Sequence, residues 1–293
     1  MFLMLTYQND TFNILQFTDI HIGEAPFNQE DLQTFEQIRA TLDTTSADLI
    51  CITGDLIWSD GVKDPQQGLI ALAEIFNQYP IPLAITYGNH DSEQSLSRQD
   101  LHTLEQELFQ HLAPKSHVFF DSQHKECFTI ELYQGQELSN VLYFIDSGVD
   151  ALLDIESYDW VSLEQVNWYK ETAQQYLEKH PHLTHDLLFL HIPLPEFEQA
   201  GEHIIDGHYW EMNPRISAPK LNTGLFSHIL HQQHINAIFC GHDHDNNFEG
   251  LFLNHRFIYG NVSGYNCYGV LPRGYRSITL SPDKMKTMIH TYS

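Results

Sequence analysis

Five times in this chain of 293 residues, an apolar run of strand length passes straight into a short polar cluster. The runs are Phe12 to Thr18, Asp48 to Thr53, Pro82 to Tyr87, Asp186 to Leu190 and Asn236 to Cys240, rich in Ile, Leu and Phe and bounded by turn residues. The clusters that follow are Asp19-Ile20-His21, Gly54-Asp55, Gly88-Asn89-His90-Asp91, His191, and Gly241-His242-Asp243-His244. Open α/β sheets place their chemistry in the crevice beyond the carboxyl ends of the strands, where these clusters would fall.

Segments between the runs carry helical spacing, which makes the fold class α/β. Leu32, Phe35, Ile38 and Leu42 form one amphipathic stripe, and Leu101, Leu104, Leu108 and Leu112 another. Ser162 with Gln165 fits a capping box, opening a helix whose buried face is Leu163, Val166, Tyr169, Ala173 and Tyr176. Phe128 to Leu132 and Val141 to Ile145 read as further strands, and Leu251 to Ile289 as strand-rich. The clusters run from Asp19 to His244, so any division of the chain would cut through them; one domain over 1–293 is expected. His228, His231 and His234 share helical spacing and read as a solvated stripe. The stretch 196–223 lacks periodicity and holds His203, His208, Tyr209, Trp210 and Asn222, so it reads as a long surface excursion fit for a lid or specificity insertion.

Each cluster offers oxygen or nitrogen ligands. In extended backbone, residues two apart point the same way, so Asp19 with His21 and His242 with His244 can each face one ion. The Asp55 carboxylate has two oxygens able to bridge cations, after a glycine that permits a sharp turn. Asn89 offers a neutral carbonyl, while His90 and Asp91 are an adjacent imidazole and carboxylate suited to proton handling. Asp245 and Asn246 follow closely enough to support the last ligands.

Composition narrows the partners. With 14 Lys and Arg against 39 Asp and Glu, the formal charge is −25, which repels polyanions and argues against non-specific nucleic-acid binding. Met1 to Thr18 shows no basic region followed by an apolar core and cleavage site, and no apolar run approaches spanning length, so a cytoplasmic protein with no membrane partner is expected. Cys51, Cys127, Cys240 and Cys267 lie far apart without C-x-x-C pairing, against a disulfide framework or a thiolate zinc site.

Taken in order, the clusters D-x-H, G-D, G-N-H-D, a lone His and G-H-x-H resemble the calcineurin-like metallophosphoesterases. Tyr259-Gly260, Ser263-Gly264-Tyr265, Arg273-Gly274, Phe144-Ile145-Asp146-Ser147-Gly148 and His191-Ile192-Pro193-Leu194-Pro195 are similar to the purple-acid-phosphatase-related branch. Trp58 stands where true purple enzymes carry a tyrosine, and His21 where they carry a glycine, so a colourless protein is expected. The resemblance implies two mixed sheets packed face to face between helices, a four-layer αββα sandwich. It implies two divalent ions, manganese, iron or zinc, with Asp19, His21 and His244 on one, Asn89, His191 and His242 on the other, and Asp55 bridging. It further implies phosphoester hydrolysis by a metal-bridging hydroxide, with His90 assisting and Asp91 orienting it. The substrate would be a small phosphoester or a phosphorylated molecule; a non-catalytic scaffold or a phospho-ligand binding protein is the alternative. Only Asp19 and Asp55 of the seven ligands are anionic, so two divalent ions would leave a centre of about +2 that attracts phosphate.

Overall fold

The computed structural model describes residues 4–155, 157–281 and 284–292; Met1 to Leu3, part of the stretch read as lacking a signal peptide, lie outside the described residues. Its strands are β1 (Leu5–Thr6), β2 (Phe12–Phe17), β3 (Leu49–Thr53), β4 (Leu83–Thr86), β5 (Ser116–Phe120), β6 (Glu126–Gln134), β7 (Glu137–Ile145), β8 (Asp186–Phe189), β9 (Ile204–Asp206), β10 (Ile235–Cys240), β11 (Glu249–Phe252), β12 (His255–Tyr259), β13 (Gly274–Ser281) and β14 (Lys284–Thr291). The helices are α1 (Gln29–Thr44), α2 (Gln66–Phe76), α3 (Arg98–Leu108), α4 (Leu163–Lys179), α5 (Phe197–Ala200) and α6 (Leu225–Gln232).

Two sheets result. The smaller runs β14-β13-β2-β3-β4, with β2, β3 and β4 parallel and β13 antiparallel to both its neighbours. The larger runs β1-β6-β7-β8-β10-β12-β11-β9, with β5 also on β6 and a parallel centre from β7 through β12. Alternate residues of each strand face opposite layers. On β3, Leu49 and Cys51 enter the layer between the sheets beside Leu187, Phe189, Ala237 and Phe239. Ile50 and Ile52 face outward under Phe35, Ile38, Leu72 and Leu101 of α1 to α3. The outer face of the large sheet is covered by α4, α5 and α6, through Tyr169, Tyr176, Phe197 and Ile229. The expected αββα sandwich is what forms, and strands buried on both faces read as continuous apolar runs for that reason.

Phe128, Phe144, Phe189 and Phe239 stack in a row across β6, β7, β8 and β10, at centroid spacings of 4.7, 4.9 and 5.0 Å. Truncating one of these fully buried rings to alanine would cost about 3–5 kcal/mol. The row keeps the large sheet's central strands in register, and with them the loops at their carboxyl ends.

Several expectations are corrected. Leu32 and Leu163 are 56% and 65% exposed. In α1 the roll is fixed by the cap: Asn28 accepts from Asp31 N, and the Asp31 carboxylate accepts from Asn28 N and Gly23 N, which turns Asp31 and Thr34 inward and Leu32 out. Helix α3 stops at Leu108, and Leu112 bridges Leu83 beyond it. The excursion 196–223 is not structureless, since it holds α5 and the edge strand β9 on β11. His234 is buried rather than solvated. No described helix is long and apolar enough to cross a membrane.

Candidate metal centre

All five clusters arrive at one place. Asp19 follows β2, Asp55 follows β3, Asn89 follows β4, His191 follows β8, and His242 and His244 follow β10, so the carboxyl ends of parallel strands from both sheets meet. Gln16 ties the two sheets beneath them, its amide donating to Thr53 Oγ1 at 2.9 Å and to the Cys240 carbonyl at 3.3 Å. Close approach of the loops excludes side chains at two positions. A Cβ on Gly54 would lie 2.4 Å from His191 Nδ1, and one on Gly88 2.2 Å from Asp55 Oδ1.

Asp55 Oδ2 is the point shared by two ligand groups. It lies 3.0 Å from His191 Nε2 and 3.7 Å from His21 Nε2. On one side, His21 Nε2 is 3.1 Å from His244 Nε2, which is 3.4 Å from Asp19 Oδ1. On the other, ligand atoms of Asp55, His191 and His242 lie within 4.8 Å of one another. Asn89 is buried in the loop between them, where the neighbouring His90 N donates to Asp55 Oδ1 at 2.9 Å.

These side chains are buried, yet Asp55 Oδ2, Asn89 Oδ1, His191 Nε2 and His242 Nε2 have no hydrogen-bond partner. Buried polar atoms are nearly always satisfied, and a converging set left open has the chemistry of a cation site. At two of the rings the opposite nitrogen is taken: His191 Nδ1 faces the Thr53 carbonyl at 2.8 Å and His244 Nδ1 the Tyr268 carbonyl at 3.2 Å. This fixes the tautomer that turns Nε2 toward the centre. The residues fit two divalent ions.

Four of the seven side chains sit on left-handed backbone: Asp19 at φ 53°, His21 at 51°, Asp55 at 53° and His242 at 82°. Each such residue costs on the order of 1 kcal/mol or more, and strain of this kind collects where surrounding structure imposes a geometry.

Electrostatics divide these side chains. Burial drives His21 and His242 down to about 3, so both rings are neutral with lone pairs to offer. Burial also works against a charged His191, but Asp55 overrides it and lifts the ring to about 9. Burial would raise Asp19, yet the bond to His244 brings it down to about 2.

His90 is flanked by Trp58, stacked at 4.8 Å. The expected partner for it was Asp91, and the structure corrects this. The Asp91 carboxylate accepts from the backbone N–H groups of Asp55, Ile57 and Gly88 at 2.7 to 3.1 Å, bracing two ligand loops against each other. Burial, with Asp55 beside it, lifts Asp91 to about 7. Glu93 is the carboxylate on His90, with Oε1 2.6 Å from Nδ1. Burial resists charging His90, but the Glu93 contact outweighs it and raises the ring above its ordinary value.

Other neighbours carry no local signature in the sequence. Tyr158 packs edge-on against His242 and Tyr268 stacks on His244. Arg98, buried, donates to the carbonyls of Gly88 and Gly148 and pairs with Asp146, anchoring the Asn89 loop. Asp245 accepts from Val270 N and Leu271 N, and Asn246 from Glu211 N, so both hold surrounding loops rather than ligands.

Residues 12–246 match the family model of the calcineurin-like phosphoesterases. A probable inactive purple acid phosphatase of Arabidopsis thaliana is 27% identical over 91% of this chain and 74% of its own length. Phosphatase DCR2 of Saccharomyces cerevisiae is 29% identical over 81% of this chain and 44% of its own. A dimetal phosphatase from Danio rerio superposes with a TM-score of 0.65 at 13% identity, covering 96% of this chain and 99% of that one. The chain belongs to the calcineurin-like phosphoesterase family.

Proposed function

We propose that this calcineurin-like phosphoesterase hydrolyses phosphoester bonds at a centre of two divalent cations. The observation that carries the reading is Asp55 Oδ2, unpartnered and within 3.0 and 3.7 Å of imidazole nitrogens from two ligand groups. Asp19, His21 and His244 would hold one ion, Asn89, His191 and His242 the other, with Asp55 shared. The ions would supply Lewis acidity toward water and phosphoryl oxygens.

The chain's own residues do the rest. Only two of the seven ligands are anionic, which leaves about +2 to draw an anionic ester into a protein of formal charge −25. Glu93 Oε1, 2.6 Å from His90 Nδ1, supports the charged ring, and Nε2 would donate to the leaving oxygen. Stacking on Trp58 fixes the plane of that ring. Asp91 fixes the Asp55 and Gly88 backbones, so it positions ligands and takes no part in proton transfer. Contacts of Ser217 N with Asp243 Oδ2 and of Trp210 N with the Asp245 carbonyl, beside His242 and His244, support reading 196–223 as a lid that selects substrates.

A non-catalytic scaffold is favoured by one observation, the word inactive in the Arabidopsis relative's name. Against it stand a full ligand set and His90 with its carboxylate. Elemental analysis of protein purified without chelator, with assays of p-nitrophenyl phosphate and its bis-ester in manganese, separates the two. Hydrolysis of either ester that vanishes with the bound metals in Asp55→Asn is expected. Two bound ions with no turnover of a wider ester panel would establish the scaffold.

A further inference from the structure

One ligand-bearing side chain at the centre falls outside the seven. Cys267 lies in the loop after Gly264, and its sulfur and one ring nitrogen each of His21 and His244 lie within 4.8 Å of one another. The other three cysteines are fully buried in the core, whereas Cys267 is only half-buried. His21 and His244 are themselves buried, and the Asp55 oxygen beside His21 is unpartnered, so the sulfur adjoins a cluster already open toward a cation.

The loop holds Cys267 in place. Arg273 Nη2 donates to the carbonyls of Cys267 and Tyr268, both at 2.9 Å, and lies 3.8 Å from the sulfur. The S–H now points to the Gly264 carbonyl at 3.3 Å.

We propose that Cys267 is a further ligand of the ion held by Asp19, His21 and His244, making that half of the centre a mixed carboxylate, imidazole and thiolate site and leaving the other half without sulfur. As the sulfur–metal bond forms, the thiol proton leaves to water. Thiolate prefers softer ions, so this half favours zinc, cadmium or cobalt over manganese more strongly than the half built on Asn89, His191 and His242. The inference rests on the two-cation reading above.

Chelator-treated protein titrated with cobalt tests it. The wild type should develop an intense near-ultraviolet sulfur-to-cobalt charge-transfer band that saturates at one ion per chain and is absent in Cys267→Ser. Cadmium affinity for one of two ions should fall about tenfold or more in that variant, with the second ion unchanged. A measurement on wild-type protein guards against a variant that folds poorly: bound cadmium should slow alkylation of Cys267 at least tenfold. Two cobalt ions bound in wild type and variant with identical spectra would overturn the thiolate ligand alone. Failure of the wild type to bind two ions would overturn the two-cation reading and this inference together.

Discussion

Strand β8 carries a buried histidine and carboxylate pair at each end, and the two pairs differ in kind. At its amino end, Asp186 accepts from Val141 N at 2.7 Å and faces His234 Nδ1 at 2.8 Å, while His234 Nε2 meets the Tyr169 hydroxyl at 3.1 Å. At its carboxyl end, His191 faces Asp55 at 3.0 Å, yet His191 Nε2 and Asp55 Oδ2 have no hydrogen-bond partner. Similar groups at similar burial are closed in one place and open in the other. A closed pair specifies packing, whereas an open one keeps lone pairs for something that binds.

Three measurements press on that contrast. Replacing His90, which serves the open end, with alanine should leave metal content unchanged and lower turnover about 100- to 10,000-fold. Undiminished turnover would take His90 out of the chemistry.

At the closed end, His234→Ala strands Asp186 and should cost about 3 kcal/mol in urea denaturation near neutral pH, with metal binding intact in the folded fraction. Burial already raises Asp186 above its ordinary value, and the loss of His234 raises it further. A carboxyl with a raised folded pKa preserves stability below its unfolded pKa and removes it as pH climbs through the folded one, so the deficit should grow with pH. Loss of bound metal with no loss of stability would erase the distinction between the two ends.

The smallest effect is again at the open end. His191 is held up near 9, and its proton must leave before the ring can ligate. Metal affinity should therefore rise about tenfold per pH unit between about pH 6 and 8, read by competition with a chelating dye. A flat profile would show that His191 keeps its proton and is not a ligand.

What could be read from the sequence was whatever has a local pattern. Strands buried on both faces announce themselves as apolar runs, and five ligand clusters sit directly after five of them. Helix roll was less legible. Leu32 and Leu163 fit a periodic stripe but lie near helix starts; at Leu32 the cap sets the roll, by turning Asp31 inward. The partner of His90 was assigned to its neighbour in sequence, Asp91, when a single 3-10 turn brings Glu93 back onto it. Cys267, Tyr158 and Tyr268 reach the centre on loops whose course depends on distant contacts, so no spacing rule could have found them. His234 shares the spacing of the half-buried His228 and the exposed His231, and contacts with Asp186 on the adjoining strand and with Tyr169 and Tyr143 make it a buried group.

The placement of β2 between β3 and β13 bears on how the protein is made. Asp19 is among the earliest ligands to leave the ribosome, yet the strand leading to it is flanked on one side by residues 276 to 280. Until those residues have been made, β2 lacks one of its two neighbouring strands. If the proposed ions bind, they would load onto a fold whose smaller sheet is closed only by its last strands.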